Sequence, residues 1–276
     1  KVFENIKTGM ADNAGWFFVL SVNIFVVVAI FLAFSRFGKI RLGGKNARPE
    51  FSTFAWFAML FSAGMGIGLL FFSVAEPMLH FNHPIIEDAT AVEKSRLAMR
   101  NTYFHYGFHV WGIYMLLGIA LAYFSFNKRA PLSLKSTLIP LFGQKMNAWP
   151  GYLIDVIAVL ATLFGLATSL GFGALQFSTG LSEYFGLENS TLLQVISIIG
   201  ITLIATISVI SGLNRGLKYL SNSNIIIAII LFIFVFILGQ TTNLIDGFVE
   251  SLGNYASSLI ELSLFRNQYG TSGDWF

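Results

Sequence analysis

One stretch decides the fold of this chain: Ser62-Ala63-Gly64-Met65-Gly66-Ile67-Gly68, inside an apolar run that extends from Phe51 to Val74. Its three glycines, two residues apart, weaken a membrane helix, because glycine costs about 1 kcal/mol relative to alanine in a helix interior. An interrupted helix at this depth is tolerated where its freed backbone groups line a cavity or bind a solute. Close helix packing through small residues is the alternative, and the whole pattern favours an unwound, cavity-lining segment.

The composition is that of an integral membrane protein. Of the 276 residues, 55% are hydrophobic and 11% are charged, whereas about 25% are charged in an average soluble domain. Cysteine is absent, which excludes disulfides and thiolate metal sites, and the net charge of +3 is too small to indicate nucleic acid as a partner. Because the chain begins with Lys1 and shows no signal peptide, we expect an internal piece of a longer protein.

Six apolar runs are long enough to cross the hydrocarbon core, which requires about 20 residues. They lie at approximately 15–37, 52–75, 102–126, 151–180, 191–211 and 222–241. Residues 130–148, which include two prolines, are predicted to form short interfacial helices, and residues 243–265 to form an amphipathic helix on the outer membrane surface. The predicted fold class is therefore an all-α integral membrane protein with six transmembrane helices.

The basic residues predict the orientation of these spans. Eleven of the 17 Lys and Arg residues accompany the loops after the first, third and fifth spans, and short loops rich in Lys and Arg face the cytoplasm. Both ends of the chain are accordingly predicted to lie outside the cytoplasm, in a multi-pass protein of the plasma (inner) membrane.

Aromatic residues recur at helical spacing in the third span, at Tyr103, Tyr106, Trp111 and Tyr114. Such a stripe either faces a cavity, where aromatic faces attract quaternary ammonium cations, or forms an interfacial aromatic belt. The spacing alone does not decide between the two.

Three further polar features carry weaker signals. His105 and His109 have the spacing of a helical metal pair, but without a third ligand we favour polar packing between helices. Glu76 precedes Pro77, and we interpret it as a helix-end acid near the outer headgroups. The hydroxyls of the fourth span can ligate a small cation, but bonding to their own helix or to neighbouring helices is favoured for each one.

The chain resembles the betaine/carnitine/choline transporter family over nearly its whole length. Four segments carry the resemblance: Ala63-Gly64-Met65-Gly66-Ile67-Gly68 to Glu76-Pro77, Phe104-His105-Tyr106 to Tyr114, Ala161-Thr162-Leu163-Phe164-Gly165 to Gln176, and Ile207-Ser208 to Gly216. The resemblance implies a partial LeuT-type inverted-repeat transporter, with one leading helix and the first repeat present here. It also implies a homotrimer, and a second half of the solute site beyond Phe276.

The family's site residues transfer by position. The resemblance implies that the solute contacts Gly64, Met65, Gly66, Gly68, Tyr106, Trp111 and Tyr114. It implies sodium ligands near Ser62 and Met65, and at Thr162 and Ser169. Two positions bear on coupling. Leu166 stands where sodium-coupled members can carry threonine, and Gly68 stands where proton-coupled members can carry aspartate, which disfavours proton coupling here.

The predicted function is secondary active import of glycine betaine, choline, carnitine or a related onium solute, with sodium as the coupling ion and no other cofactor. A sodium-independent exchanger of the same solutes is the alternative, and a channel or sensor is a third hypothesis. An enzyme is not expected, because no acid, base and nucleophile converge in the sequence. Membrane lipid and the solute are the expected partners.

Overall fold

The structure is a computed structural model that describes residues 2–64, 66, 68–84, 86 and 88–264. These residues form helices and connecting segments, without a strand among them. The α-helices are α1 (Val2–Phe34), α2 (Thr53–Gly64), α3 (Ser73–Asn82), α4 (Ala91–His105), α5 (Phe108–Ala122), α6 (Leu134–Phe142), α7 (Trp149–Phe185), α8 (Thr191–Ile210), α9 (Lys218–Leu238) and α10 (Thr241–Leu264). Turns of 3-10 helix occupy Arg36–Lys39 and Gly143–Asn147, and π-helical turns occupy Gly68–Phe72, Tyr123–Asn127 and Leu213–Leu217.

Five helical segments among the described residues are long and apolar enough to cross a membrane. They are Val2–Phe34, Ala91–Asn127, Trp149–Phe185, Thr191–Ile210 and Leu213–Leu238. The all-helical, multi-pass architecture expected from the composition is thereby confirmed.

The second predicted span, residues 52–75, is divided rather than continuous. The apolar helix α2 ends at Gly64, and the next described helical residues are the π-helical turn Gly68–Phe72, which leads into α3. The helix therefore ends within the glycine-rich stretch, where the local cost of helical glycine is highest.

The third predicted span is also divided, which the sequence analysis did not predict. Helix α4 ends at His105 and α5 begins at Phe108, with Tyr106 and Gly107 between them. Gly107 occupies the N-cap position of α5 in an extended conformation, without a side-chain cap. We call this interruption the Tyr106–Gly107 break. The span predicted at 102–126 lies within the segment Ala91–Asn127, which is long and apolar enough to cross a membrane.

The contacts within the chain divide it into two units. Unit 1 comprises residues 1–47, 75–143 and 242–276, and unit 2 comprises residues 48–74 and 144–241. In unit 1, α1 packs against α5. The two helices approach closely at Gly112, because a Cβ at this position would lie only 2.9 Å from the Val26 Cγ2. In unit 2, α2 packs against α9 and α7 packs against α8.

The two segments predicted to lie at the membrane surface are helical. Residues 134–147 form α6 and a 3-10 turn, and the predicted amphipathic helix 243–265 corresponds to α10, Thr241–Leu264. Ser251 and Tyr255, four residues apart on α10, are buried. This spacing places both on one face of the helix, which packs within unit 1.

Candidate functional site

The predicted site residues fall into two groups that belong to different units. Unit 2 carries Ser62, Gly64, Gly66, Gly68, Thr162 and Ser169, and unit 1 carries Tyr106, Trp111 and Tyr114. Met65, predicted to contact both solute and sodium, lies outside the described residues. Each group is described within its own unit.

The glycine break in unit 2 leaves open space beside the backbone. Gly64 and Gly66 are exposed, and a Cβ at Gly66 would meet no atom within 4 Å. The π-helical turn that follows packs on α7, with the rings of Phe71 and Phe72 centred 6.2 and 6.0 Å from the Phe172 ring. Single π-helical turns are frequent at functional sites, and here one lies directly after an accessible stretch of glycine backbone.

Ser62 is tied to a residue that the sequence analysis did not select. Asn224 of α9 donates a hydrogen bond from Nδ2 to the Ser62 Oγ, over 3.0 Å. A signal for Asn224 was present, because an amide within an apolar membrane helix commonly bonds to a neighbouring helix. The Ser62 hydroxyl is thus engaged with α9.

The two predicted sodium ligands on α7 are exposed and lie far apart. Thr162 and Ser169 stand seven residues apart in a regular helix, so their positions differ by about 10 Å along the axis. Two short hydroxyl side chains at that separation do not reach one sodium ion together, and a role in sodium binding stays a prediction for each of them separately. The Thr162 hydroxyl donates to the Ala158 carbonyl 2.9 Å away, within its own helix.

The aromatic residues of unit 1 do not form one stripe. Tyr103, on α4, faces α10, with its ring centred 6.5 Å from Phe248 and 6.4 Å from Tyr255. Trp111 and Tyr114, on α5, contact each other with ring centres 5.9 Å apart, and they are 41% and 58% exposed. The break in the helix therefore removes Tyr103 from the group and leaves a pair of accessible rings on α5.

Trp111 is also bonded to the break itself. Its indole Nε1 donates to the backbone carbonyl of Tyr106 over 3.0 Å. That carbonyl belongs to the C-cap residue of α4, where helix carbonyls have no intrahelical donor. The orientation of the Trp111 ring thus depends on where α4 ends relative to α5.

The Glu76 side chain is buried in unit 1, where its carboxylate contacts two histidines. It is 6% exposed, with its Oε1 2.7 Å from the His105 Nδ1 and 3.5 Å from the His80 Nε2. The carboxylate therefore links α3 to the end of α4.

Glu76 lies in the first turn of α3 rather than at a helix end set by Pro77. Helix α3 includes Pro77 and continues to Asn82. The residue before a proline is biased away from helix, but the bias is overcome here because the helical position brings Glu76 to His105 and His80.

His105 and His109 contact different helices, in agreement with polar packing between helices. His105 bonds to Glu76, whereas the His109 Nε2 lies 3.4 Å from the Oδ1 of Asn23 on α1. The part of the chain that the structure describes contains no group of three metal-binding side chains from His, Cys, Asp or Glu.

Tyr255 of α10 meets the first residue of α5. The backbone N–H of Phe108 donates to the Tyr255 hydroxyl over 3.0 Å, and the two rings stack with centres 6.2 Å apart. Burial raises the pKa of the Tyr255 phenol above its ordinary value, so the hydroxyl is neutral at physiological pH. The sequence analysis placed Tyr255 only within the amphipathic helix predicted at residues 243–265.

A family model and individual relatives identify the same family. The model of the family "BCCT, betaine/carnitine/choline family transporter" matches residues 1–276. The chain is 42% identical to a glycine betaine/proline/choline transporter of Vibrio parahaemolyticus, over 95% of this chain and 50% of the relative. It is 43% identical to the glycine betaine transporter OpuD of Bacillus subtilis, over 95% and 51%, and 42% identical to an osmo-dependent choline transporter of Acinetobacter baylyi, over 100% and 40%.

The chain thus spans about half the length of the curated relatives it matches. The glycine break, the accessible aromatic pair and the membrane helices lie within the matched region, which is the entire sequence. The chain belongs to the betaine/carnitine/choline transporter family.

Proposed function

We propose that the full-length protein is a secondary active transporter that imports quaternary ammonium or related onium solutes, glycine betaine and choline foremost. The observation that carries this proposal is the accessible Trp111–Tyr114 pair on α5. An onium head has no hydrogen to donate, so it is recognised by the electron-rich faces of aromatic rings. Relatives named as glycine betaine and choline transporters support the same solute class.

The remaining predicted residues are proposed solute contacts, each within its own unit. In unit 2, the exposed Gly64 and Gly66, with open space beside Gly66, would let the solute approach the backbone closely, and Gly68 and Met65 are proposed neighbours of the solute. In unit 1, Tyr106 would border the aromatic pair. Alternating access would rock one helix bundle against another around this site. Carnitine remains a candidate solute, and we propose a homotrimer in the plasma (inner) membrane, with both ends of this chain outside the cytoplasm.

The solute assignment is tested by Trp111→Ala in the full-length protein. We expect loss of radiolabelled glycine betaine and choline uptake with normal surface expression. Trp149→Ala is the matched control, because Trp149 is 73% exposed at the start of α7 and has no place in the proposed site. Unchanged uptake by Trp111→Ala would remove this residue from the solute site.

Sodium is the proposed coupling ion, with Ser62, Met65, Thr162 and Ser169 as predicted contributors. Leu166, between the last two, favours the alternative of a sodium-independent exchanger, because its side chain offers no oxygen. Uptake into proteoliposomes with external sodium replaced by potassium separates the two: symport stops and exchange continues. Accumulation against a solute gradient would exclude a channel or sensor.

A further inference from the structure

Helix α5 begins without a cap of its own. The first N–H groups of an α-helix have no intrahelical acceptor, and a side chain at the N-cap commonly accepts one of them. The N-cap of α5 is Gly107, which has no such side chain. The acceptor for the Phe108 N–H is instead the hydroxyl of Tyr255, 147 residues later in the chain.

The shapes of Gly107 and Tyr255 fit one another. A Cβ at position 107 would overlap the Tyr255 hydroxyl and would lie 2.6 Å from the Tyr103 carbonyl oxygen. Tyr255 is itself only 5% exposed. Because Gly107 has no side chain, α5 receives no cap from its own N-cap residue. The same absence makes room for the Tyr255 hydroxyl, which accepts the Phe108 N–H instead.

The α4 side of the break is held separately. His105, the last residue of α4, bonds to Glu76 of α3 at 2.7 Å. The indole of Trp111 then spans the break, because it lies on α5 and donates to the carbonyl of Tyr106 on the α4 side. A displacement of the start of α5 must lengthen or redirect that hydrogen bond.

Helix α10 is anchored on both sides of Tyr255. Toward its N-terminus, Glu250 pairs with Arg96 of α4 at 2.7 Å. Toward its C-terminus, the Asn23 Nδ2 of α1 donates to the Ser263 carbonyl at 2.7 Å. The Tyr255 hydroxyl is thus presented to α5 by a helix attached to two other elements of unit 1.

We propose that Tyr255 is a positioning residue for solute binding: its hydroxyl fixes the start of α5 and thereby the orientation of the Trp111 ring. The inference rests on the proposed function for its link to solute, whereas its structural part concerns unit 1 alone. Tyr255 touches no solute in this role and acts through Phe108 and the Tyr106–Gly107 break.

The first test is the uptake kinetics of Tyr255→Phe in the full-length protein. The change removes the hydroxyl and keeps the ring. We expect the KM for glycine betaine to rise roughly fivefold, the factor that a lost hydrogen bond of about 1 kcal/mol corresponds to, with little change in Vmax per surface molecule. A merely structural role would lower the amount of protein at the surface and leave the KM unchanged.

The matched control is Tyr103→Phe, which makes the same chemical change in the same ring cluster. The Tyr103 ring lies 6.4 Å from the Tyr255 ring, whereas the acceptor for the Phe108 N–H is the hydroxyl of Tyr255. We expect its KM to equal that of the parent.

The second test reports on Trp111 without requiring transport. Every other tryptophan of the full-length protein is replaced by phenylalanine, and acrylamide quenching of Trp111 is measured in detergent with Tyr255 and with Tyr255→Phe. We expect stronger quenching in the variant, because an unfixed α5 start frees the indole from the Tyr106 carbonyl.

The outcomes separate this inference from the proposed function. If the parent accumulates onium solutes, an unchanged KM or unchanged quenching in Tyr255→Phe overturns the inference. If the parent accumulates none, the proposed function fails, and the quenching alone decides whether Tyr255 positions Trp111.

Discussion

The two interrupted membrane helices of this protein are built on opposite principles. At the glycine break, between Gly64 and Gly68, helix α2 ends at a glycine, and space lies open beside Gly66. At the Tyr106–Gly107 break, side chains of α5 and α10 bond to the backbone on either side, and Glu76 of α3 bonds to the His105 ring at the end of α4. One interruption follows from backbone freedom and the other from tethers between helices.

This difference predicts how each break responds to substitution. A group added at the glycine break enters free space, so we expect it to alter solute access more than stability. At the Tyr106–Gly107 break, an added group would collide with a specific side chain, and a removed group would leave its partner without a hydrogen bond. We therefore expect either change to lower the stability. The following four predictions test this contrast, in order of decreasing effect on the free energy of unfolding.

The largest effect is expected for Gly107→Ala. Its methyl group would overlap the Tyr255 hydroxyl and would lie 2.6 Å from the Tyr103 carbonyl oxygen, and overpacking of this kind costs about 3 kcal/mol. Thermal unfolding in detergent measures the loss. Gly118→Ala is the control on the same helix, because a Cβ there meets nothing within 4 Å. Equal melting temperatures for the two variants would show that Tyr255 does not occupy this space.

Removal of the buried Glu76 carboxylate, whose partner His105 is 65% exposed, comes next. Glu76→Ala deprives His105 and His80 of their shared acceptor, and hydrogen bonds to a charged group contribute about 1.5–3 kcal/mol each. We expect a loss of about 2 kcal/mol in the same unfolding assay.

The control for that variant is Glu250→Ala. Glu250 pairs with Arg96, but the two side chains are 58% and 61% exposed, and exposed pairs contribute about 0–1 kcal/mol. If Glu250→Ala destabilises as much as Glu76→Ala, burial does not set the strength of these contacts.

A smaller effect is expected beside the glycine break, at the hydrogen bond from Asn224 to Ser62. A double-mutant cycle with Ser62→Ala and Asn224→Ala should give a coupling energy of about 1 kcal/mol. The same cycle with Ser223→Ala in place of Asn224→Ala should give none. Zero coupling in the first cycle would leave α2 and α9 joined by apolar packing alone.

The smallest effect on stability is expected for Gly66→Ala. Because a Cβ at Gly66 meets nothing within 4 Å, the free energy of unfolding should change by no more than about 0.5 kcal/mol. We expect uptake of glycine betaine to fall all the same, since the methyl group would enter the space assigned to the solute. Normal uptake would remove Gly66 from the proposed site.

Much of the fold could be predicted because its driving forces are local. The span predicted at 191–211 corresponds to α8, Thr191–Ile210, and the span predicted at 151–180 lies within α7, Trp149–Phe185. A membrane helix satisfies its backbone hydrogen bonds within its own segment, and its length follows from the thickness of the bilayer. Hydropathy along the chain therefore locates it.

The Tyr106–Gly107 break could not be predicted in the same way. Gly107 lies in an apolar, aromatic run, where a single glycine is as well explained by close helix packing. The contact that marks it as an interruption comes from Tyr255. The group that holds the α4 side, Glu76, lies 29 residues before His105, and its proline neighbour pointed to a helix end.

By itself, the sequence determined that this is a membrane protein of several helices, with one helix interrupted at its glycines, and it carried the family resemblance. Only the tertiary structure decided that Tyr103 leaves the aromatic group, that Glu76 is buried against His105, and that α5 starts at Phe108 under the hydroxyl of Tyr255. The physical reason is the range of the forces. Hydropathy and glycine flexibility act within one segment, whereas the partner of a buried polar group is set by helices far apart in the chain.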